Sequence, residues 1–117
     1  MRILLVDDEK EFVSTLAERL SLRDIEADWV TSAREAEQII DTRHYDLVVL
    51  DVKMPHMGGR QLRQILEKKQ PGIKTIYVTG HGSEEDYKAG SAEAAYYLMK
   101  PININDLINK IKTALAT

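Results

Sequence analysis

Residues 47–59, LVVLDVKMPHMGG, carry four branched apolar side chains straight into an aspartate, then reach a proline and two glycines. Four apolar residues are too few for an independent helix and read as a strand buried on both faces. Gly58 and Gly59 read as turn residues that give the backbone freedom beyond it. Asp51 is thereby left at the tip of a buried strand. A carboxylate is costly there unless a cation meets it.

Working outward, the same kind of run recurs. ILLV (3–6), TIYV (75–78) and YYLM (96–99) match DLVVL (46–50), the run that leads into Asp51. IEADWVT (25–31) instead alternates Ile25, Ala27 and Trp29 with acids, as suits a half-covered edge strand on which Trp29 packs. Helical stripes lie between these runs. Phe12, Val13, Leu16, Ala17 and Leu20 form one, and Ala36, Ile39 and Ile40 a second. Leu62, Ile65 and Leu66 form a third, and Ile104, Leu107, Ile108, Ile111 and Leu115 the last, all at 3.6-residue spacing. Ser32 with Glu35 reads as a capping box, and Asn103 with Asp106 as a looser form of the same start signal. Residues 83–91, SEEDYKAGS, predict a short, weak helix that Gly90 and Ser91 would end early.

The order is β-α five times over. That alternation predicts an α/β fold, a doubly wound five-stranded parallel sheet with five helices on its two faces in a three-layer sandwich. The 117 residues fit one domain, spanning 1–117, and can bury a core without staples. There is no cysteine, so disulfides and thiolate zinc sites are excluded. Sixteen basic and nineteen acidic residues are mixed along the chain for a net charge of −3, with no basic block to mark a nucleic-acid surface. MRILLVDDEK is unlike a signal peptide, and no stretch approaches the roughly 18 apolar residues of a membrane span. These features read as a soluble cytoplasmic domain.

In open parallel sheets, ligands sit beyond the carboxyl ends of the strands. Asp7 and Asp8 follow the first run, Asp51 the third, Thr79 the fourth and Lys100 the fifth. All lie at one end of the sheet. Crowded carboxylates repel one another and invite a cation. The ligands offered are hard oxygens, which favours Mg²⁺ or Mn²⁺ with part of its shell left to water or substrate. A lysine and a hydroxyl beside such a metal make a phosphoryl-binding arrangement. No G-x-x-x-x-G-K-[ST] loop is present, which argues against a nucleotide site. No histidine or cysteine is placed in the row, so the nucleophile left is a carboxylate, for which an aspartyl phosphate is established chemistry.

VDDE (6–9), LDVKMPHMGG (50–59), VTGHGS (78–83) and YLMKP (97–101), taken together, strongly resemble the receiver domain of two-component response regulators, across the whole chain and in order. The resemblance implies a flavodoxin-like fold with strand order 2-1-3-4-5. It implies that Asp51 is the phosphoacceptor, taking a phosphoryl group from a histidine kinase, a phosphotransfer protein or a small donor such as acetyl phosphate. Asp8, Asp51 and the backbone carbonyl of Lys53 would ligate Mg²⁺, with Asp7 acting through a metal-bound water. Lys100 and Thr79 would contact phosphoryl oxygens, and Thr79 would shift inward when Asp51 is modified. Tyr97 matches the switch aromatic, turned inward when active, and Pro101 would follow a cis peptide bond. The chain would catalyse its own phosphorylation and slow dephosphorylation rather than act as a conventional enzyme.

The same resemblance implies a switched face made of the fourth predicted helix, the fifth strand and the fifth helix. That face would dock on an effector protein or a fused output domain, the domain itself being a monomer or a weak, phosphorylation-dependent dimer. The mobile part is expected at residues 80–91 with Tyr97. His81, two residues after Thr79, could influence how water reaches the acyl phosphate, whereas His44 and His56 read as solvated loop residues. Ile102 replaces the usual Phe after Lys-Pro, and Ala94-Ala95-Tyr96-Tyr97 replaces the usual G-A-x-D-Y lead-in. A phosphorylation-independent binding module would usually have lost an acidic or lysine site residue, and none is lost. A phosphatase with an aspartyl-phosphate intermediate would need a second acid near Asp51 and a cap. Lys53 stands two residues on, and no insertion is long enough for a cap.

Overall fold

The structure is a computed structural model that describes residues 1–80 and 96–116. Five strands form one parallel sheet in the order β2-β1-β3-β4-β5. They are β1 (Ile3–Val6), β2 (Ala27–Val30), β3 (Leu47–Asp51), β4 (Lys74–Thr79) and β5 (Tyr96–Met99). The described helices are α1 (Lys10–Ser21), α2 (Ala33–Ile40), α3 (Gly59–Lys69) and α4 (Ile104–Ala116). The helix expected at 83–91 and His81 lie outside the described residues.

Helices cover both faces of the sheet, which is why the central strands read as unbroken apolar runs. Ile3, Leu5, Leu47, Val49, Ile76 and Val78 point into a core closed by α1 and α4. Leu4, Val6, Val48, Leu50 and Tyr77 point the other way, into a core closed by α2 and α3. Successive strand residues alternate between these faces, so one register serves both cores. The start signals behave as their chemistry requires. The Ser32 hydroxyl accepts from the Glu35 N–H at 3.1 Å while Thr31 and Ser32 donate to the Glu35 carboxylate. Asn103 Oδ1 accepts from the N–H groups of Asn105 and Asp106.

The predicted edge strand is at the edge, where Trp29 is 36 % exposed. Ile25 and Ala27 belong to the core that α1 helps to close, while Val30 is buried on the opposite face. One sequence expectation is corrected, for the glycines after β3. Neither Gly58 nor Gly59 adopts a positive φ, so backbone freedom is not what they supply. A Cβ on Gly59 would stand 2.5 Å from the Asp51 carbonyl oxygen and 3.0 Å from Val52 Cα. Gly59 is therefore required by space, because α3 begins pressed against the end of β3, its N–H donating to the Val52 carbonyl at 2.8 Å. The left-handed residue of that loop is His56, with φ 69°.

Candidate functional site

Asp51 and Thr79 are the last residues of β3 and β4 rather than the first residues after them. The ladder pairs Asp51 with Val78 and Thr79 with Met99, and Lys100 donates its backbone N–H to the Thr79 carbonyl at 2.7 Å. Sheet hydrogen bonds therefore hold the backbone of the site. Asp7 follows β1 directly and donates its N–H to Val30 of β2. The bond between Lys100 and Pro101 is cis, as expected.

These elements bring the polar row together. Oxygens of Asp7, Asp8 and Asp51 lie within 4.8 Å of one another. Asp7 and Asp51 are buried and Asp8 is exposed. Lys100 Nζ stands 2.9 Å from Asp7 Oδ2, 2.8 Å from Glu9 Oε1 and 3.8 Å from Asp51 Oδ2. Its ammonium also lies over the Phe12 ring, 4.4 Å from the centroid, as a cation–π contact. Turn N–H groups tie down the buried acids, Glu9 N–H donating to Asp7 Oδ1 at 2.9 Å and Lys53 N–H to Asp51 Oδ1 at 3.1 Å. The Lys53 backbone is thus held beside Asp51.

Burial dominates the electrostatics. Asp51 is pushed up to about 6, first by burial and then by the neighbouring charge of Asp7, against the pull of the Lys53 N–H and Lys100. Asp7 is also raised, because burial outweighs its hydrogen bond from Glu9 and its contact with Lys100. Burial works to lower Lys100, but the Glu9 and Asp7 carboxylates overcome it and hold the ammonium above its ordinary value. The pocket thus holds more negative charge than one lysine neutralises, which is the condition under which a further cation is welcome.

The residues fit a small, hard divalent ion. The donor set is oxygen alone, three carboxylates close enough to share one centre, with an exposed member through which the ion can enter. A second observation bears on an anion. Thr79 is fully buried, and its Oγ1 has no hydrogen-bond partner among the described residues. A buried hydroxyl without a partner costs roughly 1–3 kcal/mol, which a ligand able to accept its hydrogen bond would recover.

Residues 3–112 match the response regulator receiver domain model. The chain belongs to that family. Among solved receiver domains, that of NtrX from Brucella abortus superposes with a TM-score of 0.91 at 29% identity, covering 98% of both chains. A CheY-like receiver domain from Methanospirillum hungatei JF-1 superposes with a TM-score of 0.88 at 35% identity, covering 98% of this chain and 93% of that one. The transcriptional regulatory protein GlrR of Escherichia coli K12 is 32% identical over 114 residues, which are 97% of this chain and 26% of GlrR. TcrA of Mycobacterium tuberculosis H37Rv is 32% identical over 113 residues, 96% of this chain and 45% of TcrA. This receiver domain therefore spans a quarter to a half of the length of these curated relatives.

Tyr97 is buried in the core on the α2 and α3 face of the sheet and meets Tyr77 edge to face, with ring centroids 5.7 Å apart and an interplanar angle of 61°. His44 and His56 are both exposed, His44 lying 3.9 Å from Asp46. Two contributors were missed in the sequence, the Glu9 and Phe12 contacts with Lys100. Glu9 read as one more acid in VDDE and Phe12 as part of the α1 core stripe. Nothing local in the sequence joins them to a lysine about 90 residues away.

Proposed function

We propose that this receiver domain is a phosphoacceptor switch whose nucleophile is Asp51. The observation that carries the reading is the meeting, at one end of the sheet, of three carboxylates, one ammonium and a buried hydroxyl without a partner among the described residues. An Asp51 carboxylate oxygen attacks the phosphorus of a phosphohistidine, and the phosphorus–nitrogen bond breaks as the imidazole leaves with its electron pair. Mg²⁺, or Mn²⁺, held by Asp8, Asp51 and the Lys53 carbonyl with Asp7 behind a water, would neutralise charge on the transferring group. Lys100 contacts one phosphoryl oxygen and Thr79 donates to another. The phosphoryl group brings about −1.5 to −2 of charge. Drawing Thr79 and Lys100 towards it biases the Tyr97 surface between two packings.

The phosphoryl donor is a sensor histidine kinase or a phosphotransfer protein in the cytoplasm. A groove of about 600 Å³, lined by Phe12, Thr15, Leu16, Arg19, Pro101 and Ile102, opens beside Lys100. Its apolar lining and position suit a donor helix that presents phosphohistidine to Asp51. The response is read by an effector protein or by an output domain in the same chain, an arrangement that suits relatives named as transcriptional regulators. No helix among the described residues is long and apolar enough to cross a membrane.

The test is intact-protein mass after incubation with acetyl phosphate and Mg²⁺. A gain of one phosphoryl mass, abolished by EDTA and by Asp51→Asn, is expected. No gain in the wild type, together with failure to bind beryllofluoride, would overturn the reading in favour of a phosphorylation-independent binding module.

A further inference from the structure

Lys100 is not poised on the proposed nucleophile. Of the three carboxylates around its ammonium, Asp7 and Glu9 are at hydrogen-bonding distance, and Asp51, at 3.8 Å, is not. The Phe12 ring closes the same side of the ammonium. Three of these four contacts among the described residues therefore come from β1's end and the first turn of α1, and they hold the charge on that side of the pocket. Glu9 is the unexpected member. It occupies the N-cap position of α1, where Ser, Thr, Asp or Asn is favoured, yet its side chain makes no capping hydrogen bond. It reaches across to Lys100 instead.

We propose that Glu9 is a positioning residue that holds Lys100 on the α1 side of the site and so opposes its transfer to the group on Asp51. The proposal rests on the phosphoacceptor reading and adds a cost to it. For Lys100 to reach a phosphoryl oxygen on Asp51, its ammonium must loosen the 2.8 Å contact with Glu9. Asp7 is buried and anchored by the Glu9 N–H, so it stays a partner in both states. The Glu9 side chain is 63% exposed, and water can solvate it once it is released. Glu9 thus sets how readily the lysine moves without being consumed or trapped by the move. The exposure also sets the scale. Ion pairs with one exposed partner shift an equilibrium by about 1.5- to 5-fold.

The experiment compares beryllofluoride affinity at saturating Mg²⁺ in wild type, Glu9→Gln and Glu11→Gln. Glu11 is a second acid in the first turn of α1, so the control removes the same charge from the same turn without touching the Lys100–Glu9 pair. Glu9→Gln is expected to bind beryllofluoride about threefold more tightly, with Glu11→Gln close to wild type. In a metal-free crystal structure of Glu9→Gln, Lys100 Nζ is expected within hydrogen-bonding distance of Asp51 Oδ2. Equal gains in both variants would mean general charge repulsion and would overturn the proposal. So would unchanged affinity in Glu9→Gln, or an ammonium that stays where it is. Absence of beryllofluoride binding in the wild type would refute the phosphoacceptor reading instead, and the metal-free structure would then decide the Glu9 proposal by itself.

Discussion

Replacing Asp51 by Asn should make this protein more stable at neutral pH while abolishing its phosphorylation. Burial and the charge of Asp7 raise the Asp51 carboxyl from 3.8 to about 6, so the folded state holds that proton more tightly than the unfolded chain does. The sign follows from linkage. Below about pH 4 the acid is protonated in both states and contributes nothing. As pH rises through about 6 the folded protein must carry a buried anion that the unfolded chain solvates freely, and stability is lost. Above that the loss is constant. Two pH units correspond to about 3 kcal/mol. Asn is nearly isosteric, and its carbonyl oxygen can still accept from the Lys53 N–H, but it never ionises. The variant is therefore expected to gain about 2–3 kcal/mol at pH 7 without Mg²⁺, a net figure because the pull of Lys100 is already contained in the raised value. In urea that is a rise of about 1–2 M in the unfolding midpoint. The assay is paired urea denaturation of wild type and variant at pH 4 and pH 7 in EDTA. A neutral or destabilising effect at pH 7, or a gain of equal size at both pH values, would refute the argument that burial of the charge is what Asp51 costs.

Mg²⁺ should raise the unfolding free energy of the wild type, read by urea denaturation, by about 2.7 kcal/mol when its concentration is a hundred times its dissociation constant, and Asp8→Asn should remove most of that increment in the same titration. Gly59→Ala forces a Cβ to within 2.5 Å of the Asp51 carbonyl oxygen. It should cost about 1–3 kcal/mol, as overpacking does, and should also slow phosphorylation by acetyl phosphate, which mass spectrometry over time would read. Tyr45, buried and donating to Asp28, is pushed up to about 12, by burial first and the Asp28 hydrogen bond second. Its phenol should ionise well above pH 10, which Tyr45→Phe would identify in an ultraviolet titration, and the same variant should lessen the stability lost as pH rises past 10, where the unfolded phenol ionises first. Ser32→Ala removes the α2 cap and should cost about 1 kcal/mol by urea denaturation.

What could be read in the sequence was what periodicity and strand-end chemistry encode. The runs 3–6, 47–50 and 75–78 are buried on both faces and so had to be continuous, whereas 96–99, on the edge strand, leaves Met99 41% exposed. The polar residue that ends each run marks the rim where parallel strands deliver side chains. Asp7, Asp8, Asp51 and Lys100 converge there because every strand points the same way, and no long-range information beyond that direction was needed. The features that escaped depend on distances between segments. Gly59 is a glycine because α3 starts against the end of β3, a contact no turn propensity reports. Trp29 is 36 % exposed although it continues the alternation of Ile25 and Ala27. Glu9 and Phe12 belong to two ordinary patterns, an acidic loop and a helical apolar stripe, and acquire their site contacts only because Lys100, after β5, sets its ammonium over the first turn of α1. The division is physical. Residues that bind through the direction of their own strand can be found one strand at a time, whereas residues that decide where a charge rests depend on two segments meeting. The resting place of Lys100, on Asp7 and Glu9 rather than on Asp51, is of the second kind.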